Sequence, residues 1–109
     1  MLQYVCTRND LHAKKQIPIK IGNRSLLVAE VNGVAYAIAD KCPHRGFPLS
    51  GGKVENGIIR CKEHGLEIDL CTGRVRNEAK ATFLQLREEE RSVRTYAVQV
   101  EDDKVYVDF

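Results

Sequence analysis

The sequence predicts an all-β fold built from short antiparallel strands in one domain. Aliphatic segments of five to eight residues recur along the 109-residue chain, and turn-forming residues separate them. Asn32-Gly33 and Asn56-Gly57 are pairs that tolerate positive φ, which is typical of tight β-hairpins. A chain of this length supports a single hydrophobic core, so residues 1–109 are predicted to form one domain.

The predicted elements follow one another in a simple order. A first strand that contains Cys6 precedes a short helical turn within Thr7–Lys15. The further predicted strands are Ile17–Ile21, Ser25–Val31, Val34–Ala39, short segments ending at Val54 and starting at Ile58, Val93–Val100 and Val105–Phe109. Turns are expected at Thr72-Gly73 and at Asp102-Asp103. Phe83–Arg91 is ambiguous, because its leucines alternate as in a strand while its Glu and Arg content favours a helix.

Composition narrows the class of protein. Hydrophobic residues make up 43% and charged residues 29%, which is typical of a soluble globular chain. No apolar run reaches the roughly 18 residues that a membrane span needs, and residues 1–10 do not look like a secretory signal. We therefore expect a cytoplasmic protein that does not bind membranes. The net charge of +2 is too small to indicate a nucleic-acid partner.

The charge is unevenly distributed. Residues 41–76 contain seven basic and four acidic residues, a net charge of +3, whereas residues 77–109 have a net charge of −3. The ordinary interpretation is a solvated surface. The functional interpretation is a basic face that meets an acidic partner.

Two short segments each combine a cysteine with a histidine: Cys42-Pro43-His44 and Cys61-Lys62-Glu63-His64. Disulfides have no need of histidine, whereas thiolate and imidazole together are typical metal ligands. Two of each suit tetrahedral zinc, and they also suit a [2Fe–2S] cluster. The usual zinc finger groups Cys with Cys and His with His, but here each segment contains one of each, which favours the iron–sulfur alternative.

CPHRG at 42–46 and CKEHG at 61–65 resemble the two ligand motifs of Rieske iron–sulfur proteins. The flanking Ala39-Asp40, Pro48-Leu49-Ser50 and DLCTGR at 69–74 are similar to that family as well. The resemblance implies an antiparallel β-sandwich with a small cluster-binding subdomain, at about residues 41–76, inserted in it. It also implies one [2Fe–2S] cluster, with Cys42 and Cys61 on the inner iron and the Nδ1 atoms of His44 and His64 on the outer iron.

The same resemblance implies a one-electron carrier rather than an enzyme. Its partners would be redox proteins, namely a flavin reductase and a terminal oxygenase or reductase, and the length leaves room for the carrier without a catalytic domain. One alternative is the small subunit of an NAD(P)H nitrite reductase. A function of a different class is a zinc-binding interaction module.

Several residues depart from the family pattern or fall outside it. The chain lacks the extra cysteine pair of the high-potential members, and Leu66 and Ile68 stand where those members have serine and tyrosine hydroxyls. Cys6 and Cys71 are predicted to be buried thiols, and His12 an ordinary residue. Residues 77–92 are predicted to be either a neutral insertion or a docking element.

Overall fold

The computed structural model describes residues 1–43, 46–62, 65–76 and 91–109. In these ranges the chain forms nine strands and one short helix. They are β1 (Leu2–Thr7), α1 (Arg8–Lys14), β2 (Gln16–Ile21), β3 (Arg24–Val31), β4 (Val34–Ala39), β5 (Lys53–Glu55), β6 (Ile58–Arg60), β7 (Glu67–Asp69), β8 (Thr95–Glu101) and β9 (Lys104–Asp108). The helix has seven residues, and no helix in the described ranges is long and apolar enough to cross a membrane.

The strands form two antiparallel sheets. The larger has six strands in the order β1-β9-β8-β4-β3-β2, and the smaller has three in the order β5-β6-β7. Strand β8 connects the two halves of the large sheet: its first two residues pair with β4, and Ala97–Glu101 pair with β9. The predicted fold class, an all-β antiparallel sandwich, is confirmed.

Strand β3 contributes to two hydrophobic clusters, one on each of its faces. Leu26 and Val28 face a cluster that includes Val105 and Val107 of β9. Leu27 and Ala29 face the opposite way, into a cluster shared with the small sheet and both motif cysteines. Because β3 is covered on both faces, it is apolar at successive positions instead of alternating.

The predicted turns are present where the sequence places them. Asn32 and Gly33 have φ values of 51° and 81°, and Asn56 and Gly57 have 54° and 78°, so each pair forms the tight turn of a hairpin. The short helix is confirmed too: the Thr7 hydroxyl accepts from the Asp10 N–H, and Lys15 ends the helix in a left-handed conformation.

Two predictions fall on the segment between β7 and β8. Positions 83–90 of the ambiguous segment Phe83–Arg91 lie outside the described residues. The same holds for positions 77–90 of the stretch predicted to be an insertion or a docking element.

Glu30 is a buried carboxylate at the end of β3 far from the motif cysteines. Its side chain is 6% exposed, and Oε1 lies 2.7 Å from His12 Nδ1 and 3.5 Å from Lys15 Nζ. The hydrogen bond with His12 is the main cause that lowers the pKa of Glu30; burial acts in the opposite direction, and the charges of His12 and Lys15 assist. His12 therefore has a structural role, in agreement with its prediction as an ordinary residue.

Replacing Glu30 by glutamine is expected to destabilise the protein most at neutral pH. Because the folded-state pKa is lowered, the carboxylate stabilises the fold above the pKa of the unfolded chain, and this contribution is lost as the pH falls through the folded-state value. We expect the melting temperature of E30Q to lie about 5 °C below that of the wild type at pH 7. The difference should shrink as the pH falls below the ordinary pKa of glutamate and through the lowered folded-state pKa, and a difference that does not change with pH would show that the charge of Glu30 is irrelevant.

Candidate metal centre

The first candidate loop begins directly after β4. The Cys42 N–H donates to the Phe47 carbonyl oxygen at 2.6 Å, and the Gly46 N–H donates back to the Cys42 carbonyl oxygen at 2.8 Å. Gly46 has a φ of 77°, which L-residues with side chains rarely adopt. The loop therefore closes into a tight turn that starts at Cys42, whose side chain is fully buried.

The second loop repeats this geometry after β6. The Cys61 N–H donates to the Leu66 carbonyl oxygen at 2.8 Å, and the Gly65 N–H donates to the Cys61 carbonyl oxygen at 2.8 Å. Gly65 has a φ of 72°, and Cys61 is 1% exposed. In each loop the glycine stands four residues after the cysteine, and the carbonyl that closes the turn belongs to the residue after the glycine. The two motifs thus fold into equivalent turns.

Both motif cysteines belong to one buried cluster, together with Leu49, Leu66 and Ile68. No disulfide joins any of the four cysteines, all of which lie in the described part of the chain. Two thiols held at equivalent positions of two loops fit a soft metal such as the iron of an iron–sulfur cluster. His44 and His64 lie outside the described residues, so the structure places the two cysteines of the predicted site and not the two histidines.

Two side chains from outside the first loop bind the backbone at residues 49–52, directly after it. Asp40 Oδ1 accepts from the N–H groups of Leu49 and Ser50, each at 2.7 Å. The Gln16 side chain binds the next two residues: its Nε2 donates to the Gly52 carbonyl oxygen at 2.7 Å, and its Oε1 accepts from the Gly51 N–H at 3.0 Å. Gln16 in β2 and Asp40 just after β4 therefore fix the path of the chain after Cys42.

Replacing Asp40 by alanine is expected to loosen the first loop and lower cluster content. The substitution leaves two backbone N–H groups without their charged acceptor, at a cost of about 2–3 kcal/mol. Asp69→Ala is a matched control, because Asp69 Oδ1 also accepts two backbone N–H groups, those of Cys71 and Thr72. In urea titrations followed by visible absorption, D40A should lose the cluster at clearly lower urea than D69A. Equal midpoints would contradict this role of Asp40.

The other two cysteines are separated from this site. Cys6 is buried in the other hydrophobic cluster, as predicted, and burial there is the main cause that raises the pKa of its thiol. Cys71 is exposed, so the prediction that it is buried was wrong. The reason is the turn after β7: Asp69 accepts the Cys71 N–H at 2.8 Å, and the turn buries the neighbouring Leu70 instead.

Two apolar side chains, Leu66 and Ile68, stand where the high-potential family members have hydroxyl groups. Leu66 and Ile68 are both fully buried in the cluster that contains Cys42 and Cys61. Neither side chain can donate a hydrogen bond, so neither can stabilise the extra negative charge of a reduced centre. This agrees with the departure from the high-potential pattern that the sequence indicates.

Sequence comparisons with known proteins agree on one protein family. Residues 1–102 match the family model of the Rieske [2Fe-2S] domain. The chain is 32% identical over 103 residues to human apoptosis-inducing factor 3, covering 94% of this chain and 16% of that protein. It is 29% identical over 107 residues to the ferredoxin component of biphenyl 2,3-dioxygenase of Rhodococcus jostii, covering 98% and 92%.

Structural comparison gives the same result. A solved complex of reduced oxygenase and oxidized ferredoxin in carbazole 1,9a-dioxygenase contains a chain that matches with a TM-score of 0.79 at 25% identity. The match covers 97% of this chain and 91% of the other. The chain thus spans about one sixth of the human relative and nearly all of the Rhodococcus ferredoxin. The resemblance predicted from the two motifs is confirmed: the chain belongs to the Rieske [2Fe-2S] domain family, whose cofactor is one [2Fe–2S] cluster.

Proposed function

We propose that this chain is a one-electron carrier that passes electrons from a reductase to a terminal oxygenase. The observation that carries the proposal is the pair of equivalent turns, each of which starts at a buried cysteine in one shared cluster. When bound, a [2Fe–2S] cluster accepts and releases a single electron. The ferredoxin components among the relatives, and the complex of a similar ferredoxin with its oxygenase, support this assignment.

We further propose that Cys42 and Cys61 bind one iron and that His44 and His64 bind the other, within a subdomain of about residues 41–76. His44 and His64 are assigned as the other two ligands because the motifs in which they stand, CPHRG and CKEHG, resemble the ligand motifs of Rieske proteins, the family that the chain matches. This ligand set has no position for a substrate, which is why we assign electron transfer and not catalysis.

The partners and location follow from the same proposal. We assign a flavin reductase as electron donor and a terminal oxygenase as acceptor, in the cytoplasm. The small subunit of a nitrite reductase would use the same centre, but the relatives whose length this chain matches are ferredoxin components of oxygenase systems. A zinc-binding module is less well supported, because the family that the chain matches is an iron–sulfur family.

A redox titration of the purified protein tests this function. The proposal predicts about two irons and two acid-labile sulfides per chain, a visible spectrum that dithionite bleaches, and full reduction by one electron per chain. A colourless protein with stoichiometric zinc would establish the interaction module instead. Binding of two electrons per chain would also contradict the proposal.

The reduction potential is expected at the low end of the Rieske range, at about −150 mV. The physical reason is the apolar pair Leu66 and Ile68, which gives no hydrogen bond to the cluster sulfurs. Replacing Leu66 by serine should raise the midpoint by about 60 mV, if the new hydrogen bond favours the reduced state by about 1.4 kcal/mol. A wild-type midpoint above roughly +100 mV would contradict the explanation.

A further inference from the structure

An open groove lies directly beside Cys61. Its volume is about 420 Å³, and among the described residues it is lined by Gly51, Lys53, Arg60, Cys61, Lys62 and Gly65. The groove joins the two candidate loops, because Gly51 follows the first and Cys61 begins the second. Three of its six lining residues are cationic and none of the six is acidic.

Two of these cations lie against glycines of the loops. The Lys62 ammonium group would be 3.3 Å from a Cβ atom placed on Gly51, and the Arg60 guanidinium 3.1 Å from one placed on Gly65. Lys62 and Arg60 are both exposed residues. The absence of side chains at the glycines therefore lets the positive groups lie close to the backbone around Cys61.

The carboxylates in the described part of the chain pair with one of the three cations of the groove. Lys53 forms an ion pair with Glu55 at 3.1 Å. Within the described ranges of the chain, none of the ion pairs includes Arg60 or Lys62. Among the described residues, Arg60 and Lys62 are therefore the cations of the groove that have no carboxylate within ion-pair distance.

We propose that this basic groove is the docking surface for an acidic face on the redox partner protein. The inference rests on the proposed function and adds the chemistry of the partner's surface. Opposite charges steer two proteins toward one orientation, and here the oriented side is the one that contains Cys61. A partner seated in the groove would lie next to Cys61 of the candidate centre, which keeps the distance for electron transfer short.

Two small oxidants of opposite charge test the groove without a known partner. The reduced protein gives one electron to anionic hexacyanoferrate(III), which becomes hexacyanoferrate(II), or to cationic tris(phenanthroline)cobalt(III), which becomes the cobalt(II) complex. In anaerobic stopped-flow experiments, the rate with the anion should fall as the salt concentration rises, and the rate with the cation should not. The reverse salt dependence, or none with either oxidant, would overturn the proposal.

Charge-reversed variants localise the effect. At about 0.1 M ionic strength, where charges farther than about 10 Å are largely screened, R60E/K62E should react about fivefold more slowly with hexacyanoferrate(III). R8E/K104E is the matched control, because it makes the same change of formal charge at the β8–β9 turn, where the Arg8 N–H binds the Asp103 carbonyl oxygen. The β8–β9 turn lies beyond the end of β4 that is farther from Cys42, and its distance from Cys42 is roughly 20 Å. An equal effect of both variants would show a response to net charge alone.

A neutral variant covers the case in which R60E/K62E does not fold, since its new carboxylate at position 60 would stand opposite Glu67 in the neighbouring strand. R60Q/K62Q should slow the reaction with the anion about twofold and leave the visible spectrum unchanged. An unchanged rate in this variant would count against the groove.

A binding measurement that involves no electron transfer completes the test. Fluorescein-labelled deca-glutamate should bind the purified protein, as followed by fluorescence anisotropy, with a Kd that rises about tenfold in R60E/K62E and little in R8E/K104E. If the peptide did not bind the wild type although the protein still transferred electrons to both oxidants, the docking inference alone would be overturned. Failure of the wild type to react with either oxidant would overturn the proposed function itself.

Discussion

Replacing Cys61 by alanine is expected to abolish cluster binding, so that the purified variant has no visible absorption and no stoichiometric iron. Cys61 is 1% exposed and belongs to the same buried hydrophobic cluster of side chains as Cys42. Alanine removes the thiolate, and no cysteine besides Cys42 remains in that hydrophobic cluster, because Cys6 lies in the other hydrophobic cluster and Cys71 is exposed. Cys42→Ala should give the same result for the same reason. Iron and sulfide analysis together with the visible spectrum measures the loss directly.

The two remaining cysteines provide the controls for this prediction. Cys6→Ala removes a buried thiol of the same kind from the other cluster, and Cys71→Ala removes an exposed one. Both variants should keep the full spectrum, although Cys6→Ala should lower the free energy of unfolding by about 1–2 kcal/mol because it leaves a small cavity. Loss of the cluster in either control, or its retention in Cys61→Ala, would contradict the assigned ligands.

Replacing Gly52 by alanine is expected to have the second largest effect, because the added methyl group would push the two candidate loops apart. A Cβ atom on Gly52 would overlap the backbone carbonyl of Arg60 and lie 2.9 Å from the Leu49 carbonyl oxygen. Arg60 directly precedes Cys61, so the backbone that must move is the one that positions the second cysteine. We expect a loss of about 2–3 kcal/mol in the free energy of unfolding and clearly less than one cluster per chain.

Gly73→Ala is the control for steric overlap, and it also adds the strain of the left-handed φ of 76° at Gly73. Its Cβ atom would overlap the Val93 carbonyl, at a crossing that involves neither candidate loop. This variant should lose at least as much stability as Gly52→Ala but retain one iron–sulfur cluster per folded chain. If both variants lost the iron–sulfur cluster equally at the same loss of stability, Gly52 would have no specific role in positioning Cys61.

The local part of the fold is readable from the sequence because it depends on neighbouring residues. Asn32-Gly33 and Asn56-Gly57 form the expected turns, and Val34–Ala39 is a strand with the predicted bounds. Asp102, at the predicted final turn, has a φ of 55°. In each case a short segment contains both the apolar strand pattern and the turn residues that end it.

The long-range part of the fold is not readable in this way. Strand β1 pairs with β9 at the other end of the chain, and β8 divides its pairing between β4 and β9. Nothing in the residues of β8 indicates that division, because backbone pairing does not depend on a particular side chain. The side chain of Gln16, which binds the backbone of Gly51 and Gly52 far along the chain, likewise has no local signal.

The candidate site contains some features that can be predicted from the sequence and others that cannot. The two motifs indicate their cysteines, and the glycine four residues after each one indicates the turn. The burial of Cys71 was predicted wrongly, because its position depends on the turn that Asp69 organises and not on the hydrophobicity of cysteine. The basic groove was only foreshadowed by a net charge of +3 over residues 41–76; its position beside Cys61 required the folded chain.

The most direct test of the central claim is a Mössbauer spectrum of the oxidised protein enriched in iron-57. If Cys42 and Cys61 bind one iron while His44 and His64 bind the other, the two irons have different ligands. We therefore predict two quadrupole doublets of equal area, one from each iron. A single doublet, as expected of two irons with identical sulfur ligands, or a protein that binds zinc in place of iron, would contradict the account.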